Sequence, residues 1–146
     1  MADPVVRTYG KQRMALVAPD LLDLTLHGEF TRDEFAQIVA ARSELTAGQP
    51  YLLFRIRLAT FERISMAVSR TLAGTLDRRP QATVFLGASF RAQVVVNMIV
   101  RSANLFAPYR ARVHFAASEE EAASWLEEAR RALRAETGAA GAHARD

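Results

Sequence analysis

The sequence predicts a single α/β domain built from successive strand–helix units, and three observations predict it. Short apolar runs with period-two alternation recur between breakers, the pattern of half-buried strands. Between them lie longer stretches whose apolar residues return every three or four positions, opened by side-chain caps and closed by glycine or proline. At 146 residues the chain has room for one domain with a real core and little for a second.

Residues 1–11 read as a loosely ordered lead-in. Residues 14–17 are a brief apolar strand, turned by Pro19 and Asp20 into a second strand over 21–27. In that strand Leu22, Leu24 and Leu26 share one face, opposite Asp23, Thr25 and His27. The two are close enough in sequence to pair as an antiparallel hairpin. Gly28 and Glu29 end the strand, and a helix starts at Thr31 with Glu34 completing a capping box. Phe30 and Phe35 occupy the positions of a hydrophobic staple, Ile38, Val39, Ala41 and Leu45 continue the stripe, and Gly48 and Pro50 stop it.

A third strand covers 51–58, with Leu52, Phe54, Ile56 and Leu58 on one side. A helix is expected from about Glu62 to Arg78, carried by Ile64, Val68, Leu72 and Leu76 and closed by Arg79 and Pro80. Residues 82–86 form a short strand, and Ser89 caps a helix running to Phe106. That segment is rich in β-branched residues, but its length and the following Pro108 favour a helix. Residues 110–115 are the last strand, Ser118 and Glu121 a second capping box, and Ala122, Trp125, Leu126, Ala129 and Leu133 the core face of the closing helix. The domain is thus expected to span 1–136, in the order ββαβαβαβα, with a disordered Gly/Ala-rich tail over 137–146.

Composition narrows the function. The net charge is +3, and of nineteen basic residues only Lys11 is a lysine. Such arginine dominance reflects a GC-rich bacterial genome more often than a nucleic-acid module, which mixes both cations in a dense patch. Without cysteine there are no disulfides, thiolate metal sites or cysteine nucleophiles. The first residues lack the apolar core of a secretory signal, and the greasiest stretch, 94–100, is too short to span a bilayer. A cytoplasmic protein is expected.

No catalytic, cofactor or metal constellation stands out. Residues Gly87 to Arg91 resemble a nucleophile elbow at a strand-to-helix turn, but Arg91 replaces the final glycine, and a capping role explains Ser89 better. His27 and Glu29 lie two apart without a third ligand nearby. Glu119, Glu120 and Glu121 complement a helix dipole. The chain is therefore expected not to be an enzyme.

The strands carry a polar face. Asp23, Thr25 and His27, then Arg55 and Arg57, then Arg110, Arg112 and His114 oppose the apolar side of their strands. If right-handed crossovers add each strand on the same side of the last, every crossover helix falls on one sheet face. The expected fold is a (βα) superhelix: a mixed, mostly parallel sheet of about five strands, helices mainly on one face and an open polar face opposite. Those cations then meet water, counter-charges such as Asp23, or an anionic partner.

The hairpin leading into Leu26-His-Gly-Glu-Phe30, and the segment Val113-His-Phe-Ala-Ala-Ser-Glu-Glu-Glu121-Ala122 with Trp125-Leu126, resemble the STAS family, the anti-sigma-factor-antagonist fold. The likeness covers roughly residues 14–134 and is closest to divergent stand-alone bacterial members. It implies a STAS-type (βα) superhelix and a role in protein regulation. The family's phosphorylatable serine follows an aspartate where the third strand's loop enters the second helix. Here that stretch is Leu58-Ala-Thr-Phe-Glu-Arg-Ile-Ser65-Met66, so Thr60 and Ser65 are nearby hydroxyls without the Asp-Ser pair. Thr60 reads as a helix cap and Ser65 as a first-turn residue, which weakens the expectation of partner switching by phosphorylation.

The helix over 94–106 is apolar around most of its circumference, and its surplus needs cover from neighbouring helices, a second copy or a ligand. The expected function is a non-enzymatic regulatory or protein-interaction module of STAS-like type that forms a homodimer through Val95, Ile99 and Phe106. The alternative is a domain that binds a small hydrophobic or anionic ligand.

Overall fold

Alternation in the sequence becomes one six-stranded sheet. The computed structural model describes residues 5–64, 77–106 and 111–145, and the backbone alone for residues 64, 102–106 and 139–145. The elements are β1 (Val5–Tyr9), β2 (Gln12–Val17), β3 (Leu21–Phe30), α1 (Arg32–Leu45), β4 (Leu52–Ile64), β5 (Gln81–Leu86), α2 (Phe90–Phe106), β6 (Ala111–Ala116) and α3 (Glu119–Arg145). Strands lie in sequence order; β1, β2 and β3 pair antiparallel, and β3 through β6 parallel. The mixed, mostly parallel sheet of the sequence reading is present, with one strand more.

The extra strand is β1, placed where a loose lead-in was expected. Its Val5 and Val6 stay exposed, so burial does not announce it; it forms because the turn at Gly10 folds it onto β2, Tyr9 opposite Gln12. Gly10 has φ +59, the left-handed conformation glycine adopts most readily.

β3 and β4 run further than their alternation suggested. Gly28 does not end β3: with φ +60 it sits at a register shift, and the strand continues to Phe30. β4 continues alongside it, His27 facing Thr60 and Glu29 facing Arg63. Glu62–Ile64 are therefore strand, which corrects the expected helix start, and Thr60 is no helix cap. Pairing partners were available there and outweighed the local helical period. The remaining stripe of that helix, at Val68, Leu72 and Leu76, falls outside the described residues, as does Ser65.

α1 begins as predicted. Thr31 and Glu34 form the reciprocal capping box, and Phe30 meets Phe35 edge-on at 5.8 Å. Glu34 does more than cap. Its carboxylate accepts hydrogen bonds from Thr31 N (3.0 Å), Gln12 Nε2 (3.3 Å) and Lys11 N (3.2 Å), tying the β1–β2 turn to the helix. Burial pushes this carboxyl up, yet those donors together outweigh it and hold it below its ordinary 4.5.

Two cores flank the sheet. Leu22, Leu24, Leu26, Leu52, Phe54 and Leu58 face α1 and α2 through Ile38, Ala41 and Ala92. On the other side Leu53, Val84 and Leu86 meet Ala122, Leu126, Ala129 and Leu133 of α3. The crossover helices α1 and α2 thus share a face, as the crossover argument requires. The closing helix α3 folds back over the opposite face. Its backbone is helical past Glu136 to Arg145.

Candidate functional site

The polar sheet face is the first candidate, and α3 covers it. Arg55 Nη2 donates to Asp23 Oδ2 at 2.6 Å, and Arg57 lies 3.5 Å from Asp23 and also pairs with Glu119 at the start of α3. His114 stacks on Trp125 (5.4 Å, 12° between planes) with its Nε2 3.6 Å from Glu121. Arg112 is 3.9 Å from Glu136. One helix thus presents apolar residues to the strand centres and carboxylates to the arginines beside them. The face expected to be open is closed over β4–β6, because the stripe of α3 needed burial and its flanking glutamates matched the exposed cations. Arg110 lies outside the described residues.

A second cluster anchors the same helix at the start of the strands. Buried Asp20 accepts from the Tyr51 hydroxyl at 2.5 Å and from Arg130 Nη2 and Nε at 2.9 and 3.0 Å. Burial and the hydrogen bond to Asp20 both raise the Tyr51 phenol above its ordinary 10.0, and Asp20 likewise raises the Arg130 guanidinium. These contacts join α3 to β3 and β4; they are scaffold.

At the far strand ends His27 Nδ1 meets the Thr60 hydroxyl, and Arg63 lies 3.5 Å from Glu29 on the surface. Thr60 is exposed but already engaged by His27. Ser89 accepts from Ala92 N at 3.1 Å, the capping role read from the sequence. Among the described residues no three metal-ligating side chains cluster.

The apolar helix α2 is the remaining candidate, and its two sides differ. Inward, Ala92, Val96, Ile99 and Val100 line a slot of about 600 Å³ between α2, α1 and the sheet. Its other walls include Leu26, Phe54, Ile56, Phe85 and Val113 from the strands, and Phe35 and Ile38 from α1. Outward, Phe90, Val94 and Met98 stand at i, i+4 and i+8 with 83%, 42% and 63% of their surface in water. Of the interface residues expected from sequence, Val95 is 38% exposed at the edge of the slot, Ile99 is half-buried in its wall, and the Phe106 side chain lies outside the described residues. The helical wheel held the signal for Phe90 and Met98, but only the position of α2 says which side faces out.

The architecture is that of an α/β domain with a SpoIIAA-like fold. Among solved structures the chain is similar to an uncharacterised protein of the DUF3478 family from Shewanella loihica, described as having a SpoIIAA-like fold, at TM-score 0.50 and 16% identity over 85% of this chain and 92% of that one. It also aligns with the anti-sigma factor antagonist SpoIIAA in its unphosphorylated form, at TM-score 0.43 and 17% identity over 80% of this chain and 97% of that one. At these identities the likeness is one of fold. No protein-family model and no curated protein matches the chain.

Proposed function

We propose that this chain is a non-enzymatic, cytoplasmic regulatory module of STAS-like type that works by binding protein, beginning with a second copy of itself through the outward side of α2. The observation that carries the reading is the stripe of Phe90, Val94 and Met98. Single exposed apolar residues are ordinary, whereas three along one helical row form a continuous patch. Two such helices related by a two-fold axis bury the same row in both copies, so one surface supplies both halves of the contact. Among the described residues, three side chains that chemistry could have used are engaged structurally: Ser89 caps α2, His27 binds Thr60, and Arg57 joins Asp23 to Glu119. No described helix is long and apolar enough to cross a membrane.

Sedimentation of the full chain over a wide concentration range tests this directly. A monomer–dimer equilibrium is expected. Met98→Glu should weaken it at least tenfold, since a carboxylate buried without a partner costs more than about 1.4 kcal/mol. Met98 is largely in water in the monomer, so the circular dichroism of that variant should match the parent. A chain that stays monomeric at every concentration refutes the self-association.

A further inference from the structure

We infer that β1 is a second docking edge, to which the β1 of another copy of this chain adds antiparallel, centred on Arg7, so that the two sheets run on as one. β1 lies at the edge opposite β5 and β6, the strands that α2 connects, and the contact stands independently of the dimer through that helix.

β1 pairs with β2 alone, so one side of its backbone is open. The turn fixes which groups face out. Tyr9 pairs with Gln12 across Gly10 and Lys11; Gly10 has φ +59, and no other kind of residue among those described has a positive φ. That is the two-residue type II′ hairpin, with glycine first. The residues flanking such a turn exchange both backbone hydrogen bonds, and bonded and non-bonded pairs alternate from there along the ladder. Tyr9, Arg7 and Val5 therefore bond to β2, while the N–H and C=O of Val6 and Thr8 point away from the sheet. Another β1 laid antiparallel about Arg7 sets Val6 opposite Thr8 of the copy, so each outward donor meets an outward acceptor.

The side chains favour a second copy as the occupant. Val5 and Val6 stand on opposite faces of the strand and keep 44% and 45% of their surface in water. In this register Val5 meets Tyr9 of the copy and Val6 meets its Thr8, β-branched and aromatic pairs that stabilise antiparallel ladders. Arg7 is the strand's one charge, and its guanidinium donates to both carboxylate oxygens of Glu44 at 2.9 Å. Two neutralised pairs thus meet at the centre, and the strand offers no free charge that prefers an acidic or a basic peptide. Edges are commonly guarded by charges or by a covering element. β6, at the other edge, has Arg112 and His114 beside the carboxylates of α3, whereas β1 has no such guard among the described residues. Five paired residues bury less than the roughly 1,000 Å² of a stable dimer, so the association is weak and reversible.

Residue-resolved amide hydrogen exchange of the full chain, at micromolar and at millimolar concentration, tests this and reads β1 separately from α2. The Arg7 and Tyr9 amides should be protected at both concentrations. Those of Val6 and Thr8 should gain protection, by about fivefold or more, only at the higher one. Val6→Lys, at an exposed position, should remove that gain without altering the circular dichroism. Thr8→Pro, which deletes an outward N–H and no bond to β2, should remove the gain at Val6. Val6 and Thr8 amides that exchange equally fast at both concentrations overturn the inference, as does a gain that survives Val6→Lys. In Met98→Glu the gain should persist, and its disappearance there overturns the independence of the two contacts.

Discussion

Removing the Asp23 carboxylate isolates two arginines beneath α3. Asp23 is 7% exposed. Arg55 and Arg57 keep 20% and 31% of their side-chain surface in water. Deleting one partner of a fully buried pair costs about 3–5 kcal/mol because the other charge stays desolvated, whereas an exposed pair is worth about 0–1 kcal/mol. Arg57 retains Glu119, while Arg55 loses its 2.6 Å partner and already holds an unpaired Nε. Asp23→Ala therefore belongs between those limits, at about 2–3 kcal/mol. Urea denaturation measures it, followed by fluorescence of Trp125, the single tryptophan, which stacks on His114 under α3. With a slope of about 2 kcal/mol/M for a domain of this size, the midpoint should fall by about 1–1.5 M at unchanged slope. In a cycle with Arg55→Ala the two losses should fall short of adding, with a coupling of about 1 kcal/mol or more. A loss below about 0.5 kcal/mol refutes the reasoning. It would mean that α3 leaves the carboxylate solvated and the arginines available to a ligand after all.

Further expectations concern the turn that meets α1 and the cluster that holds α3. A Cβ at Gly10 would stand 2.3 Å from Glu34 Oε2, on a backbone at φ +59, and Glu34 is pinned by its donors. Gly10→Ala should cost about 2 kcal/mol or more, read as a drop in melting temperature, and a parent-like melt would count against the pinned carboxylate. Glu34 has a folded pKa below its ordinary 4.5. Its stabilising contribution is therefore complete above that value and lost as pH falls through the lower folded value. Glu34→Gln should be less stable at neutral pH and show a shallower loss in acid; parallel curves for the two proteins would contradict this. Tyr51 has a folded pKa above its ordinary 10.0, so its contribution is present below that pH and lost as pH rises through the folded value. Tyr51→Phe should flatten the alkaline limb of the stability curve, and an unchanged limb would assign that loss to other groups.

The candidate surfaces were partly legible before the fold was known. The run from Val94 to Val100 carries more apolar surface than one helix face can bury, and that surplus is visible in composition alone. Its division was not visible. Val96 and Ile99 reach the slot, and Phe90 and Met98 reach water, only because α2 sits at one angle to the sheet. The wheel supplies a circle of residues, and packing chooses its origin.

What the sequence determined by itself was local. Thr31 with Glu34, Ser89 with Ala92, and Ser118 with Glu121 are contacts within one helical turn, so the residues that make them lie within a few positions of each other. The alternation of β3 and β4 is equally local, since successive side chains must point to opposite faces. Three features were decided by the tertiary structure. β1 is a strand because β2 offers it a partner, although Val5 and Val6 bury little. β4 extends to Ile64 because β3 runs beside it that far. The Arg/His face is covered because α3 has an amphipathic stripe that fits any apolar strip, and its flanking glutamates select the strip bordered by Arg57, Arg112 and His114. Period and capping are nearest-neighbour properties of the chain; which surfaces meet is settled by burial and charge pairing between residues far apart in it.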